Sequence, residues 1–239
     1  EEMQRYLYGS LSDLYDPHLL KDADKVFAVS NALKDEIIAT DVPNIQEKTS
    51  IHWNSVDTEK FNENNDNPIL EFDKPVVMFV GNLIKRKNVK TIIAAKKESK
   101  TDFELVIVGG GPLFDSLQKK VKDENIRGIT FTGPRKDVEK IIPDADILVL
   151  PSFSESFGLV LIEALACGVP VIGSNVGGIK EIITEEVGLL IDPNDSKTLA
   201  DAIDKLLSDK ELYDSFKSHA RERAMDFSKV KIPYDEVLQ

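Results

Sequence analysis

From Val76 onward the chain repeats one pattern, a short apolar run followed by a stretch with helical spacing. The runs are VVMFV at 76–80, FELVIVG at 103–109, GITFTG at 128–133, ADILVLP at 145–151, VPVIGS at 169–174 and VGLLID at 187–192. Helical stretches fill the intervals, among them 158–167 and a short one near 178–185. Runs that are apolar on both faces and separated by helices belong to a parallel sheet covered on both sides, joined by right-handed crossovers. The pattern therefore predicts a doubly wound α/β unit over 76–225, with ligand chemistry at the carboxyl ends of its strands. Two further helical patterns, 196–207 with Ser196 as N-cap and 210–226, read as covering helices.

The part before Val76 has a different make-up. It holds one strand-like run at 26–30, one helical pattern at 31–39 and a run near 49–54, and then the polar stretch FNENNDNP at 61–68. Asn and Asp favour turns, and Pro68 restricts the residue before it, so Asn62 to Asp66 is the expected hinge. A lone strand and helix cannot make a core. Residues 1–60 are therefore expected to be the end of a domain whose earlier part is absent, 61–225 the α/β domain, and 226–239 a C-terminal helix returning toward the first.

Charge and cysteine usage narrow the function. With 30 Lys and Arg against 42 Asp and Glu in 239 residues, the formal net charge is −12. A field of that sign repels phosphate backbones, so no nucleic-acid partner is expected, and a phosphorylated ligand needs a local basic site. The single cysteine, Cys167, and three scattered histidines, His18, His52 and His219, exclude a disulfide framework, a Cys/His zinc cluster and a nucleophile triad. Charged residues at Glu1 to Arg5 and the lack of any apolar run near roughly 18 residues predict a soluble, cytoplasmic protein.

Three constellations carry possible chemistry. In Pro151-Ser152-Phe153-Ser154-Glu155-Ser156-Phe157-Gly158, Glu155 follows a buried strand, and Glu163 stands on the next helix. The amides of Phe157, Gly158 and Leu159 should open that helix as an anion site, while the two carboxylates can accept hydrogen bonds from sugar or ribose hydroxyls. The same spacing also suits a solvated Glu pair. Gly81-Asn82-Leu83-Ile84-Lys85-Arg86-Lys87 directly follows the first strand, where cations can neutralise a diphosphate leaving group or merely cap the strand in solvent. Val108-Gly109-Gly110-Gly111-Pro112 either admits a ligand closely or makes a tight turn. It is not a dinucleotide fingerprint, since it follows a middle strand and has Phe114 at the third glycine position, which counts against a nicotinamide dehydrogenase. Val176-Gly177-Gly178 is a similar helix opening.

Taken together, Glu155-x7-Glu163 within PSFSESFGLVLIEALACGVPVIGSNVGGIKEI, ADKVFAVSNALKDEI at 23–37, Asn54 to Phe61, G-x-L-x-x-x-K at 81–87 and VGGGP at 108–112 resemble the retaining glycosyltransferases of family 4 (glycosyl transferases group 1). That resemblance covers nearly the whole chain. It implies a GT-B fold whose Rossmann-like C-terminal half binds a nucleotide sugar, UDP- or GDP-linked, with no cofactor and no metal. It also implies an N-terminal half, here mostly missing, that receives a saccharide or lipid-linked acceptor and supports peripheral association with the inner face of the membrane. By similarity, Glu163 holds the ribose hydroxyls, Glu155 the transferred sugar and Lys87 the diphosphate. Phe157, Gly158 and Leu159 hold phosphate and sugar, with Gly81, Asn82, Arg86, Gly110, Gly111 and Pro134 completing the set. The implied reaction is retaining, the departing phosphate taking the acceptor proton on the same face.

Two positions depart from the family pattern. Asn82 stands where Arg is usual, and Ser55 where the linker usually has Gly. Help from Lys85 or Arg86 is the expected compensation for the missing charge. The alternative is a non-catalytic subunit that binds a nucleotide sugar or a partner enzyme, and the two separate on whether the gene encodes roughly 150 further upstream residues, an ordinary domain length.

Overall fold

The computed structural model describes residues 6–7, 17–64, 66 and 68–228. In chain order these form β1 (Tyr6–Leu7), α1 (Pro17–Asp22), β2 (Lys25–Ala28), α2 (Asn31–Ile38), α3 (Ile45–Lys48) and β3 (Thr49–Ile51). After the linker come β4 (Val76–Val80), a 3-10 turn at Lys85–Lys87, α4 (Val89–Glu98), β5 (Glu104–Val108), α5 (Phe114–Asp123) and β6 (Ile129–Gly133). The chain continues with α6 (Val138–Ile141), a 3-10 turn at Ile142–Asp144, β7 (Ile147–Leu150), α7 (Leu159–Ala166), β8 (Val171–Ser174), α8 (Ile179–Ile182), β9 (Gly188–Ile191), α9 (Ser196–Ser208) and α10 (Lys210–Met225).

The second group builds a six-stranded parallel sheet in the order β6-β5-β4-β7-β8-β9. This is the doubly wound, Rossmann-like α/β arrangement that the alternating runs predict. Each central strand is Val/Ile/Leu-rich because helices cover both of its faces, and β5 and β7 are buried almost throughout. Edge strand β6 is only half-buried along its whole length, so its reading as apolar on both faces does not hold. Strand order reverses between β4 and β7, which pair at Val77 with Ile147 and Met78 with Leu148. A crevice at the carboxyl ends of those two strands follows from that reversal.

Residues 1–60 hold more than a lone strand and helix, for β2 pairs in parallel with both β1 and β3. Strands of two and three residues fall below the length at which alternation shows in a sequence. Helix α9 is capped by Asp195, not Ser196, because the Asp195 carboxylate accepts from the amides of Lys197 at 2.9 Å and Thr198 at 3.1 Å. Ser196 instead donates to Glu98 on α4 at 2.9 Å. Helix α10 ends at Met225, and residues 226–228 form a turn; the helix expected over 226–239 otherwise lies outside the described residues. No helix among the described residues is long and apolar enough to cross a membrane.

A carboxylate bridges the two sheets. Glu181 on α8 accepts from the Asn31 amide at 2.9 Å, the Asn31 side chain at 2.7 Å and the Ala32 amide at 2.9 Å, so it caps α2 from the other sheet. It also accepts from Trp53 Nε1 at 3.3 Å. Burial raises its pKa, but the bonds from Asn31, Ala32 and Trp53 outweigh that and leave it below the usual carboxylate range. Behind it, Trp53 meets the Phe227 ring edge-on at 5.8 Å, and the Val56 amide donates to the Phe227 carbonyl at 3.2 Å. Glu181→Ala should lower stability by about 1 to 3 kcal/mol, the loss of a cap and its charge-assisted bonds. A folded-state pKa below the unfolded one gives stability that is present above the unfolded value and lost as pH falls through the folded value. Thermal unfolding of both proteins should therefore differ most near neutral pH and converge in acid; a gap independent of pH would refute the capping role.

Candidate functional site

At the carboxyl end of β4 the backbone turns through Gly81, whose amide donates to the Val108 carbonyl at 2.9 Å. The glycine run after β5 packs directly beneath it. A Cβ on Gly109, at φ +142°, would stand 1.9 Å from the Gly81 carbonyl oxygen, so only glycine fits this approach. Leu83 donates to the Gly110 carbonyl at 2.8 Å, and Gly110 lies against Pro134. Gly110, Gly111 and Pro134 thus form the wall behind residues 81–83 and do not line the pocket in front of it.

Next along the chain, the Lys85–Lys87 turn ends in Asn88, which takes the left-handed conformation at φ 53°. Its buried side-chain amide donates to the Pro151 carbonyl at 3.1 Å and the Pro193 carbonyl at 2.7 Å. Asn88 therefore pins together the loops at the ends of β4, β7 and β9. Arg86 and Phe153 add a second tie, through the Phe153 amide to the Arg86 carbonyl at 2.8 Å and Arg86 Nη1 to the Ser154 carbonyl at 3.3 Å. From below, the Gly178 amide donates to the Glu155 carbonyl at 3.0 Å.

These ties shape a pocket of about 550 Å3 at the switch point. Gly81, Asn82, Lys87, Glu155, Phe157, Gly158, Leu159 and Glu163 all line it. Of the sequence-predicted residues, Arg86, Gly110, Gly111 and Pro134 stand outside the lining, as does Lys85, which is exposed. Lys87 is thus the one cation lining the pocket among the described residues, and compensation for Asn82 by Lys85 finds no support in the geometry. Val29, just past β2, also lines the pocket though no motif marks it, and Asn54 is marked only by the segment from Asn54 to Phe61 that resembles the family. Neither carries a signal in its own neighbourhood, since both reach the pocket only through the packing of the small sheet against the large one.

Lys87 Nζ donates to Glu155 Oε2, and Ser152 Oγ lies 3.4 Å from the same oxygen. Arg86 Nη1 is 3.8 Å from the other carboxylate oxygen. Helix α7 opens at Gly158, whose φ of 106° turns the chain so that the first amides of the helix have no intrahelical acceptor. One turn on, the half-buried Glu163 carboxylate has no side-chain hydrogen bond among the described residues. Burial pushes its pKa up, Lys60 opposes this, and Glu139 adds to it. At the other end of α7, burial and the Glu163 charge push the Cys167 thiol up to about 12, which makes it an inert packed thiol. No group of three or more His, Cys, Asp or Glu able to hold a metal occurs among the described residues.

A sequence profile of the family described as Glycosyl transferases group 1 matches residues 61–223. The chain is 34% identical over 213 residues to the N-acetyl-alpha-D-glucosaminyl L-malate synthase of Bacillus anthracis, covering 85% of this chain and 55% of that protein. Against the alpha-maltose-1-phosphate synthase of Mycolicibacterium smegmatis identity is 27% over 228 residues, with 85% and 59% covered. Among solved structures, the sucrose-phosphate synthase of Thermosynechococcus elongatus superposes with a TM-score of 0.77 at 30% identity, over 88% of this chain and 56% of that one. Anabaena HepE in complex with UDP-glucose gives 0.84 at 22% identity, over 98% and 71%, and shares the fold. The chain spans about half the length of the curated relatives it matches.

Proposed function

The chain belongs to the group 1 glycosyl transferases, and from that membership we propose that it is the donor-binding half of a retaining transferase that moves a sugar from a nucleotide diphosphate sugar to a hydroxyl acceptor. The observation that carries this reading is the convergence on one pocket of Lys87, Glu155, Glu163 and the start of α7. Glu163 accepts the ribose hydroxyls, the amides of Phe157, Gly158 and Leu159 face the phosphates, and Lys87 meets the diphosphate. Glu155 accepts from hydroxyls of the transferred sugar. Arg86 acts behind the pocket, by holding the Ser154 carbonyl and so the Glu155 loop.

In the reaction the bond from the anomeric carbon to the phosphate oxygen breaks, and the acceptor oxygen attacks that carbon from the same face. Its proton passes to the departing phosphate oxygen, giving the glycoside and the nucleoside diphosphate. Lys87 and the helix start stabilise the charge that grows on the phosphate, the kind of interaction that usually does most to lower such a barrier. Residues 1–60 are the end of the acceptor lobe and 61–225 the donor domain, and the whole works in the cytoplasm, on a saccharide or lipid-linked acceptor at the inner membrane face.

Calorimetric titration with UDP, GDP and ADP, with and without magnesium, tests the reading. One nucleotide should bind saturably and independently of metal. Lys87→Ala should weaken it by about 1.5 to 3 kcal/mol, one charge-assisted bond, or roughly tenfold or more. No binding by any of the three would sink the donor-site assignment.

A further inference from the structure

The groups assigned to the diphosphate and to the sugar are bonded to each other. Lys87 Nζ donates to Glu155 Oε2, and both side chains are largely withdrawn from solvent, at 16% and 11% exposure. Lys87 is also the one cation lining the pocket among the described residues, with Asn82 beside it in place of a second charge. A diphosphate bound to Lys87 therefore draws the ammonium's single positive charge away from Glu155, even where its remaining N–H donors let both contacts persist. A carboxylate that loses its cation in a place of low exposure is left with Ser152 Oγ at 3.4 Å and Arg86 at 3.8 Å, the latter already bonded to the Ser154 carbonyl. Leaving a buried charge short of partners is costly.

The two possible occupants of the pocket differ on this point. A nucleotide sugar brings hydroxyls that donate to Glu155 at the moment its phosphates take Lys87, so both members of the pair exchange one partner for another. A bare nucleoside diphosphate takes Lys87 and offers Glu155 nothing, while adding negative charge beside it. We propose, resting on the function above, that the Lys87–Glu155 pair makes the site discriminate between the sugar-bearing donor and the bare diphosphate product. Glu155 is a specificity-determining residue that reclaims Lys87 once the sugar has gone, and so drives product release.

This assignment predicts a gain of binding from the loss of a site residue. On the full chain, UDP, GDP and ADP and the glucose ester of each are titrated by calorimetry, together with inorganic pyrophosphate, which needs no base pocket. Glu155→Gln, of the same shape but uncharged, should tighten pyrophosphate and the bound nucleoside diphosphate by roughly tenfold, the scale of one charge-assisted bond. The sugar ester should not tighten in parallel, so the preference for ester over diphosphate should fall by a similar factor. In a Lys87→Met background the same substitution should give no gain, since the competition runs through that ammonium.

A nucleotide that binds the unaltered chain and Glu155→Gln equally overturns this inference and leaves the donor-site reading standing. A gain that persists in the Lys87→Met background also overturns it, because the effect is then plain repulsion between Glu155 and the ligand. Absence of nucleotide binding in every variant overturns both.

Discussion

Glu163→Ala is expected to weaken nucleotide binding by about 1.5 to 3 kcal/mol, roughly ten- to a hundredfold, while leaving the fold intact. The carboxylate stands half-buried on α7 with no side-chain hydrogen bond among the described residues, so removing it orphans no protein group. Its pH dependence provides a second reading. Burial holds the Glu163 pKa above the usual range, so between the unfolded and folded values the folded chain binds more protons, and stability falls as pH rises through that window. Ribose hydroxyls donate to the ionised form, so nucleotide affinity should rise with pH over the same window. Glu163→Gln should flatten the profile. An unchanged affinity and an unchanged profile would remove Glu163 from the site.

The second large effect is expected at Gly177. A Cβ there would lie 2.0 Å from the Glu155 carbonyl oxygen, and the residue sits at φ +48°. Gly177→Ala should cost about 2 to 4 kcal/mol, from overlap with backbone that cannot swing aside plus the left-handed strain of a side chain. In a chain of this size each kcal/mol moves the Tm by roughly 2 to 4 °C. Nucleotide binding should fall as well, because relief comes only by moving the loop that carries Glu155. Gly133→Ala is the control: it has φ +75° but nothing within 4 Å of the added carbon, so it should show strain alone. Equal losses of Tm at both positions would mean that the close approach is not what Gly177 serves.

The large sheet was legible because β4, β5, β7 and β8 are buried on both faces and therefore read as continuous apolar runs. That Glu155, Glu163 and Lys87 line one pocket was legible by position, each falling just past or one helix beyond a strand end where a doubly wound sheet opens its crevice. Short-range competition hid the cap of α9, where Asp195 and Ser196 are both good N-caps and only the partner Glu98 decides between them. Long-range chemistry left no trace at all. The Asn88 amide bridges carbonyls 63 and 105 residues away, and Glu181 caps a helix 150 residues earlier. Such pairings depend on which strand ends the sheet order brings side by side, and no local pattern encodes that.

Phe227 has a mechanical consequence. The linker carries the chain out of the small sheet past Trp53 and Val56, and α10 brings it back, so that Phe227 closes on both of them and on Phe157 at 5.6 Å. Phe157 also lines the pocket, so the ring that joins the two sheets leans directly on the ligand site. Loosening the join at Phe227 would therefore disturb the pocket lining as well, which couples the packing of the two sheets to the ligand site.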